Sequence, residues 1–423
     1  MAKNCHQNLK DIIKSIKDQN YITIEQFNEL KYYSIQPGGF SQKNKKSNEN
    51  QKIIFKALLN MIESQDDFNF IKSIKKHPSK IISKNFKDNL DNDNSSQEIE
   101  VVTKDLPRNI FYHWKENNKS INYELNDFGK EIENYLKKNK NKYSYYQGYL
   151  DFSVFFYVLF KEKNKENNKI YLKAIQFFTE IFLKDYISPY KAIGITEDII
   201  FKNSLNLLID IIKLFDKNIY EIFKEDCSPL SLILSWIISL FSHSINNFYI
   251  LRRVLDYILI NEPINAYILT AYIIVKNLKT NIKNILEAEN EDIFMVIKNI
   301  NLDKINFDNV IIICDEFIND NLEDILEIQN KNKNQLYLLG DYNFRGIENL
   351  VYSYNNEILE ERYIRKRSCI ISYQFIFILF LTWIFVIYFF HKDTIFEKIS
   401  DNSNKLVSKN TNSNLFENDD DDL

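Results

Sequence analysis

The chain is 423 residues long with a net charge of −4, so a strongly basic nucleic-acid footprint is excluded as its dominant feature. Apolar residues make up 45%, and only 7 glycines and 6 prolines interrupt them; a folded body rich in regular structure is expected instead of a low-complexity chain. The four cysteines, Cys5, Cys227, Cys314 and Cys369, form no Cys-x-x-Cys pair, and the five histidines show no paired-ligand spacing. Both facts argue against a disulfide frame or a structural zinc site and for a reduced, cytosolic body.

In chain order, residues 1–20 are polar and lysine-rich and lack the apolar stretch of a secretory signal. Residues 8–34 read as two helices, and 35–52 as a polar loop holding Pro37-Gly38-Gly39. Helices follow near 53–64 and 66–75, and 85–97 lack apolar period and read as a loop. Pro107 makes Arg108 open a new segment. A helix begins at Tyr145–Gly148 and runs inward through Leu150, Phe152, Val154, Phe155, Val158 and Leu159. After a charged break at 161–168, helices are expected at 169–186, 195–213, 216–224, 229–245, 248–260 and 263–277. Leu230 to Phe241, apolar on nearly every side, should be the most buried of them. Shorter helices fall near 281–300 and 319–328, and 337–360 reads as a connector. Few hairpin signals occur, so the fold class is all-α.

Ile370 to Phe390 is uncharged and interrupted only by Ser372, Gln374 and Thr382. About 21 residues at 1.5 Å each span roughly 30 Å, the thickness of a bilayer's hydrocarbon core. A transmembrane helix is expected there; a buried core helix is the alternative. Arg362, Arg365, Lys366 and Arg367 precede the span, and the chain ends in Asp419-Asp420-Asp421-Asp422. The positive-inside rule then puts residues 1–367 in the cytosol, a single-pass tail-anchored layout. The expected organisation is an N-terminal helical extension (1–24), a core domain (25–280), a helical part and connector (281–367), the span (368–391) and a short acidic lumenal tail (392–423).

Two short stretches carry chemistry. Val102-Thr103-Lys104-Asp105-Leu106-Pro107-Arg108 offers one cation, and Tyr145-Tyr146-Gln147-Gly148-Tyr149 one neutral amide. An arginine to meet developing charge and a glutamine to aim a water are what hydrolysis of a GTP γ-phosphate uses. The chain has no phosphate-binding loop, so the nucleotide would arrive on a partner. Read singly, Asp105 and Arg108 are equally a surface ion pair worth about 0–1 kcal/mol. Gln147 read singly is equally a side chain capping a packed loop.

Together and in this order, the two stretches resemble the signature of the TBC family of Rab GTPase-activating proteins. That pattern reads Ile-x-x-Asp-x-x-Arg and then Tyr-x-Gln-Gly, met here by Val102, Asp105 and Arg108 and by Tyr145, Gln147 and Gly148. A third block follows, Leu234-Ser235-Trp236 to Phe241 and then Arg252-Arg253-Val254-Leu255-Asp256-Tyr257. The likeness covers about residues 25–280. The sequence departs from the family near 50–56, where an Arg-x-x-x-Trp is usual and this chain has no tryptophan. Tyr-Tyr-Gln-Gly-Tyr-x-Asp at 145–151, Phe241-Ser242-His243 and the span are similar to the C-terminally membrane-anchored branch of the family.

The resemblance implies a multi-helix TBC domain and a dual-finger mechanism. Arg108 and Gln147 are the catalytic pair, supplied in trans to a Rab in its GTP form, and Asp105, Tyr145 and Gly148 are their supports. Trp236, Phe241 and Asp256 read as fold residues. No cofactor of the chain's own is implied, since Mg-GTP belongs to the GTPase. The expected partners are a Rab and, through 370–390, a lipid bilayer, with the endoplasmic reticulum as the implied membrane and no nucleic acid. A catalytically silent TBC scaffold is the alternative.

Overall fold

The computed structural model describes residues 8–41, 49–63, 102, 105, 119–139, 143–160, 170–187, 197–285, 290–332, 335–336, 347–356, 380–382 and 402. Every regular element among them is helical. The chain divides into two units, Met1–Asn355 and Asn356–Leu423. Arg108, the expected helix near 66–75, the loops at 85–97 and 161–168, and the expected span apart from 380–382 lie outside the described residues. Among those described, no helix is long and apolar enough to cross a membrane.

The first unit opens with α1 (Leu9–Gln19) and α2 (Ile24–Ile35). Asn8 caps α1 by accepting from the Lys10 N–H, and Leu9, Ile12, Ile13 and Ile16 form its buried stripe at helical spacing. Thr23 and Gln26 make a reciprocal capping box at the start of α2, with bonds of 2.9 and 3.2 Å. A tight turn, Gly39–Ser41, precedes α3 (Glu49–Glu63), which packs on α1. This helix begins four residues earlier than its apolar pattern indicates. The reason is Gln51, which hydropathy scores as polar but which is buried and donates to Asp256 at 2.5 Å.

Next come α4 (Lys119–Lys138) and α5 (Tyr149–Phe160). Helix α6 (Ile170–Phe178) widens into a π turn, Thr179–Leu183, and continues as α7 (Lys184–Ile187). Helix α5 is the centre of the core: only Tyr157 and Val158 keep partial exposure. Phe55 of α3 and Phe156 of α5 meet Phe178 of α6 with ring centroids 5.1 and 4.9 Å apart. Burying each such ring contributes about 1.5–3 kcal/mol. Helix α5 is therefore held by packing on nearly every side.

Helices α8 (Glu197–Phe215) and α9 (Lys217–Glu225) lead to a segment where the sequence expectation fails. A single helix at 229–245 is replaced by a 3₁₀ turn, Ser228–Ile233, the short helix α10 (Leu234–Ile238) and a chain reversal. Pro229 starts the turn, and Leu240 and Phe241 take left-handed backbone angles, φ 48° and 66°. Such angles in two bulky residues cost about 1–2 kcal/mol each, and nothing in their type announces them. Nor is this the most buried helix throughout, since Leu232 is 37% exposed.

Helices α11 (Phe248–Ile260) and α12 (Ile264–Ile285) follow, the latter longer than expected. Then come α13 (Asn290–Lys298), α14 (Phe307–Asp320) and α15 (Leu322–Asn332). The sequence reading placed one helix near 319–328; the structure has two, broken at Asn321. The stripe Phe307, Val310, Ile311 and Cys314 buries α14, but aspartates and asparagines on its outer face dilute the pattern. The expected connector at 337–360 holds a helical stretch from residue 347.

One polar knot ties the early chain to the late helices. Arg253 on α11 donates to Asp308 at 2.6 Å and to the carbonyls of Ser34, Ile35 and Gln36 at 2.7, 3.1 and 3.0 Å. Asp256, one turn on, accepts from the Phe40 N–H at 3.1 Å and from Gln51. Gly39 has φ +52°, and a Cβ there would lie 2.7 Å from the Asp256 carboxylate, so only glycine lets the turn approach it. Burial pushes the Asp256 carboxyl up to about 7, against the pull of Arg253 and Arg252.

A candidate activator site around Gln147

Residues 143–148 have no helical hydrogen-bond ladder of their own, and four tyrosines substitute for it. The Tyr143 phenol donates to Glu180 on the π turn, and the Ser144 N–H bonds the Ile187 carbonyl at 2.6 Å. Glu180 is buried and also meets Lys184 at 2.7 Å. Tyr145 donates to Asp105 at 2.8 Å, joining the two sequence motifs across 40 residues. Tyr146 donates to the Ile238 carbonyl at 2.7 Å, one of the carbonyls at the end of α10. The Tyr149 hydroxyl, inside α5, accepts from Thr179 at 3.3 Å.

Between these anchors Gln147 stands exposed, and among the described residues nothing hydrogen-bonds its amide. Gly148 has φ +101°, which turns the chain into α5, and a Cβ there would meet Ser239 at 3.4 Å. The loop is thus fixed on both sides of a side chain that is itself free. Asp105, Tyr145, Gln147, Gly148, Asp151 and His243 border one shallow depression. A larger cavity, about 350 Å³, lies elsewhere, between Gly38, the start of α11 and Asp308.

The structure brings together four of the five residues singled out in the sequence: Asp105, Tyr145, Gln147 and Gly148; Arg108 is outside the described set. It adds a pair whose partnership the sequence did not reveal. His243 Nδ1 lies 2.7 Å from an Asp151 carboxylate oxygen, 92 positions away in the chain. The available signal was Asp151 itself, a carboxylate in an otherwise apolar helix, which requires a partner once buried. The hydrogen bond to Asp151 raises the His243 pKa above its ordinary value, while burial opposes the rise. Burial first, and then the Asp105 charge, push the Tyr145 phenol far up, so it stays a donor. Trp236, Phe241 and Asp256 are buried, at 6%, 0% and 1% exposure, as fold residues should be. Among the described residues no group of His, Cys, Asp and Glu could hold a metal ion.

An all-helical body with an outward-facing amide on a locked loop fits a domain that works on the surface of a partner. The sequence model of the Rab-GTPase-TBC domain matches residues 42–283, more than half of the chain, and the chain belongs to that family. Membership brings activation of Rab GTPases as its general function and a Rab GTPase as its partner. No curated protein matches the chain.

Proposed function

We propose that the protein accelerates GTP hydrolysis on a membrane-bound Rab by supplying Arg108 and Gln147 together. The observation that carries this is Gln147: exposed, unbonded among the described residues, and flanked by tyrosines that fix its backbone. Gln147 orients the attacking water in place of the GTPase's own glutamine, and Arg108 stabilises charge spreading over the γ-phosphate oxygens. Asp105 and Tyr145 hold the two segments together, and Gly148 permits the turn. The chain needs no cofactor, because Mg-GTP comes with the Rab.

The likeness at 145–151, at 241–243 and in the apolar run 370–390 supports a relationship to the TBC domain family member 20 type. The protein would then be tail-anchored, with residues 1–367 in the cytosol, at the endoplasmic reticulum and the early secretory pathway. Rabs carry lipid anchors, so sharing their membrane raises the effective concentration of the encounter. A silent scaffold that binds a Rab without activating it is the second reading; the outward-facing Gln147 favours the first.

The test is single-turnover hydrolysis by a panel of GTP-loaded Rabs with the full-length chain in mild detergent. At least one Rab should be accelerated; a panel that binds the protein but keeps its intrinsic rates supports the scaffold. For topology, protease added to intact microsomes should remove an epitope placed at the N-terminus and spare one at the C-terminus. Protection of the N-terminal epitope reverses the orientation.

A further inference from the structure

Both ends of the loop that carries Gln147 rest on one irregular turn. Thr179–Leu183 is the π turn between α6 and α7, and all of its residues are buried. At the entry to the loop the Tyr143 phenol donates to Glu180 Oε1, and at the exit Thr179 donates to the Tyr149 hydroxyl at 3.3 Å. The Ser144 N–H bonds the Ile187 carbonyl, where α7 ends. Adjacent residues of one turn thus hold positions 143 and 149, with Gln147 between them. Single π turns inside α-helices are rare and recur at functional sites.

The turn is itself well held. Phe178, just before it, stacks on Phe156 of α5 with centroids 4.9 Å apart, and Ile181, Phe182 and Leu183 lie in the core. Glu180 differs in type from these neighbours. A carboxyl group 1% exposed in an apolar turn is costly unless hydrogen-bonded. Its two oxygens are divided: Oε1 takes the Tyr143 phenol and Oε2 takes Lys184 at 2.7 Å. The Tyr143 ring stacks on Tyr135 of α4, with centroids 5.8 Å apart. Burial first, and then the Glu180 charge, push the Tyr143 phenol far up, so it stays a donor.

We infer that the π turn is the positioning element of the activator loop: Glu180, through the Tyr143 phenol, and Thr179, through Tyr149, set the aim of Gln147. The inference rests on the function proposed above. Tyr143→Phe deletes the hydroxyl and keeps the stacked ring. It should lower kcat for a responsive Rab roughly tenfold with KM for the Rab unchanged, since about 1 Å of misplacement costs up to about 10² in rate. Glu180→Gln still offers the phenol an oxygen, and Lys184, partly exposed, can turn to water. Its kcat should stay within about twofold of wild type, whereas Glu180→Leu should fall with Tyr143→Phe. In a Gln147→Ala chain, Tyr143→Phe should cost nothing further, because the group it aims is gone.

Hydrogen exchange of the full-length chain in mild detergent, read by mass spectrometry, gives a measurement that needs no Rab. The Ser144 amide should exchange faster in Tyr143→Phe, while the amides of α5 keep wild-type protection. If Ser144 keeps its protection, or if Tyr143→Phe costs the same factor with and without Gln147, the inference is overturned while Rab activation stands. A rise in KM at unchanged kcat overturns it as well, by placing the turn in Rab binding. If no Rab responds to wild type, the proposed function fails and takes this inference with it.

Discussion

Alanine at Gln147 should remove most of the acceleration and leave the fold untouched. The side chain is exposed and makes no hydrogen bond among the described residues, so its removal breaks nothing that stabilises the native state. Its backbone is held through Tyr145, Tyr146 and the glycine turn, all of which survive the substitution. What goes is the orientation of one water, and losing one preorganised polar group in other enzymes costs about 10²–10³ in rate. Arg108→Ala should cost more, about 10³–10⁵, the span attributed to a trans-acting arginine. The measurement is single-turnover hydrolysis at saturating protein beside a thermal melt of each variant. The Gln147→Ala variant should melt with wild type. A Gln147→Ala protein with wild-type acceleration sinks the dual-finger reading, and a lowered melting point would show that the residue supports the fold instead.

The second large effect concerns stability. Arg253→Ala should destabilise the first unit by about 3 kcal/mol or more, because it removes a charged donor from three backbone carbonyls and each such bond is worth about 1.5–3 kcal/mol. Three backbone carbonyls lose a donor, Asp308 keeps the Gly38 N–H but loses the guanidinium, and Asp256 loses a nearby cation that favours its ionised form. The loss should depend on pH. Because burial raises the Asp256 carboxyl to about 7, its contribution is fully present below the ordinary carboxylate value near 4 and is lost as pH rises through about 7. Without Arg253 the carboxyl rises further, so the penalty grows toward alkaline pH. Denaturant unfolding of both proteins at about pH 5.5 and about pH 8.5 reads this directly. Arg253→Ala with Asp256→Asn should recover part of the stability at the higher pH. A penalty equal at both pH values would mean that Asp256 does not feel Arg253.

How much of this was legible in the sequence depended on how local the cause was. Helix Phe248–Ile260 was read with its bounds because Leu251, Val254, Leu255 and Ile258 repeat at helical spacing between Asn247 and Asn261. The helix after Gln147 was legible instead from its almost unbroken apolar run. The break at 239–241 was not, because leucine and phenylalanine carry no turn signal. Beside it Tyr146, 92 residues away in the chain, claims the Ile238 carbonyl. Gln51 failed to register for a related reason: a hydropathy pattern treats a buried amide as a surface residue, although its NH2 group donates to the buried Asp256 carboxylate. Asp105, Tyr145 and Gln147 were found only because their order matched a known motif. The Tyr145 phenol joins the two motifs in space, and of the Asp151–His243 pair the only local sign was a carboxylate in an apolar helix, which named no partner.

The tyrosine clasp has a consequence for how the protein responds to its medium. Each of those bonds has a neutral hydroxyl at one end, and burial drives Tyr145, Tyr146 and Tyr149 toward the protonated form well beyond physiological pH. Dissolved ions screen pairs of exposed full charges far more than they weaken short bonds from buried neutral donors. Ionic strength will therefore modulate how often a charged partner is captured while leaving the aim of the captured amide alone, so encounter and orientation answer to separate physical controls.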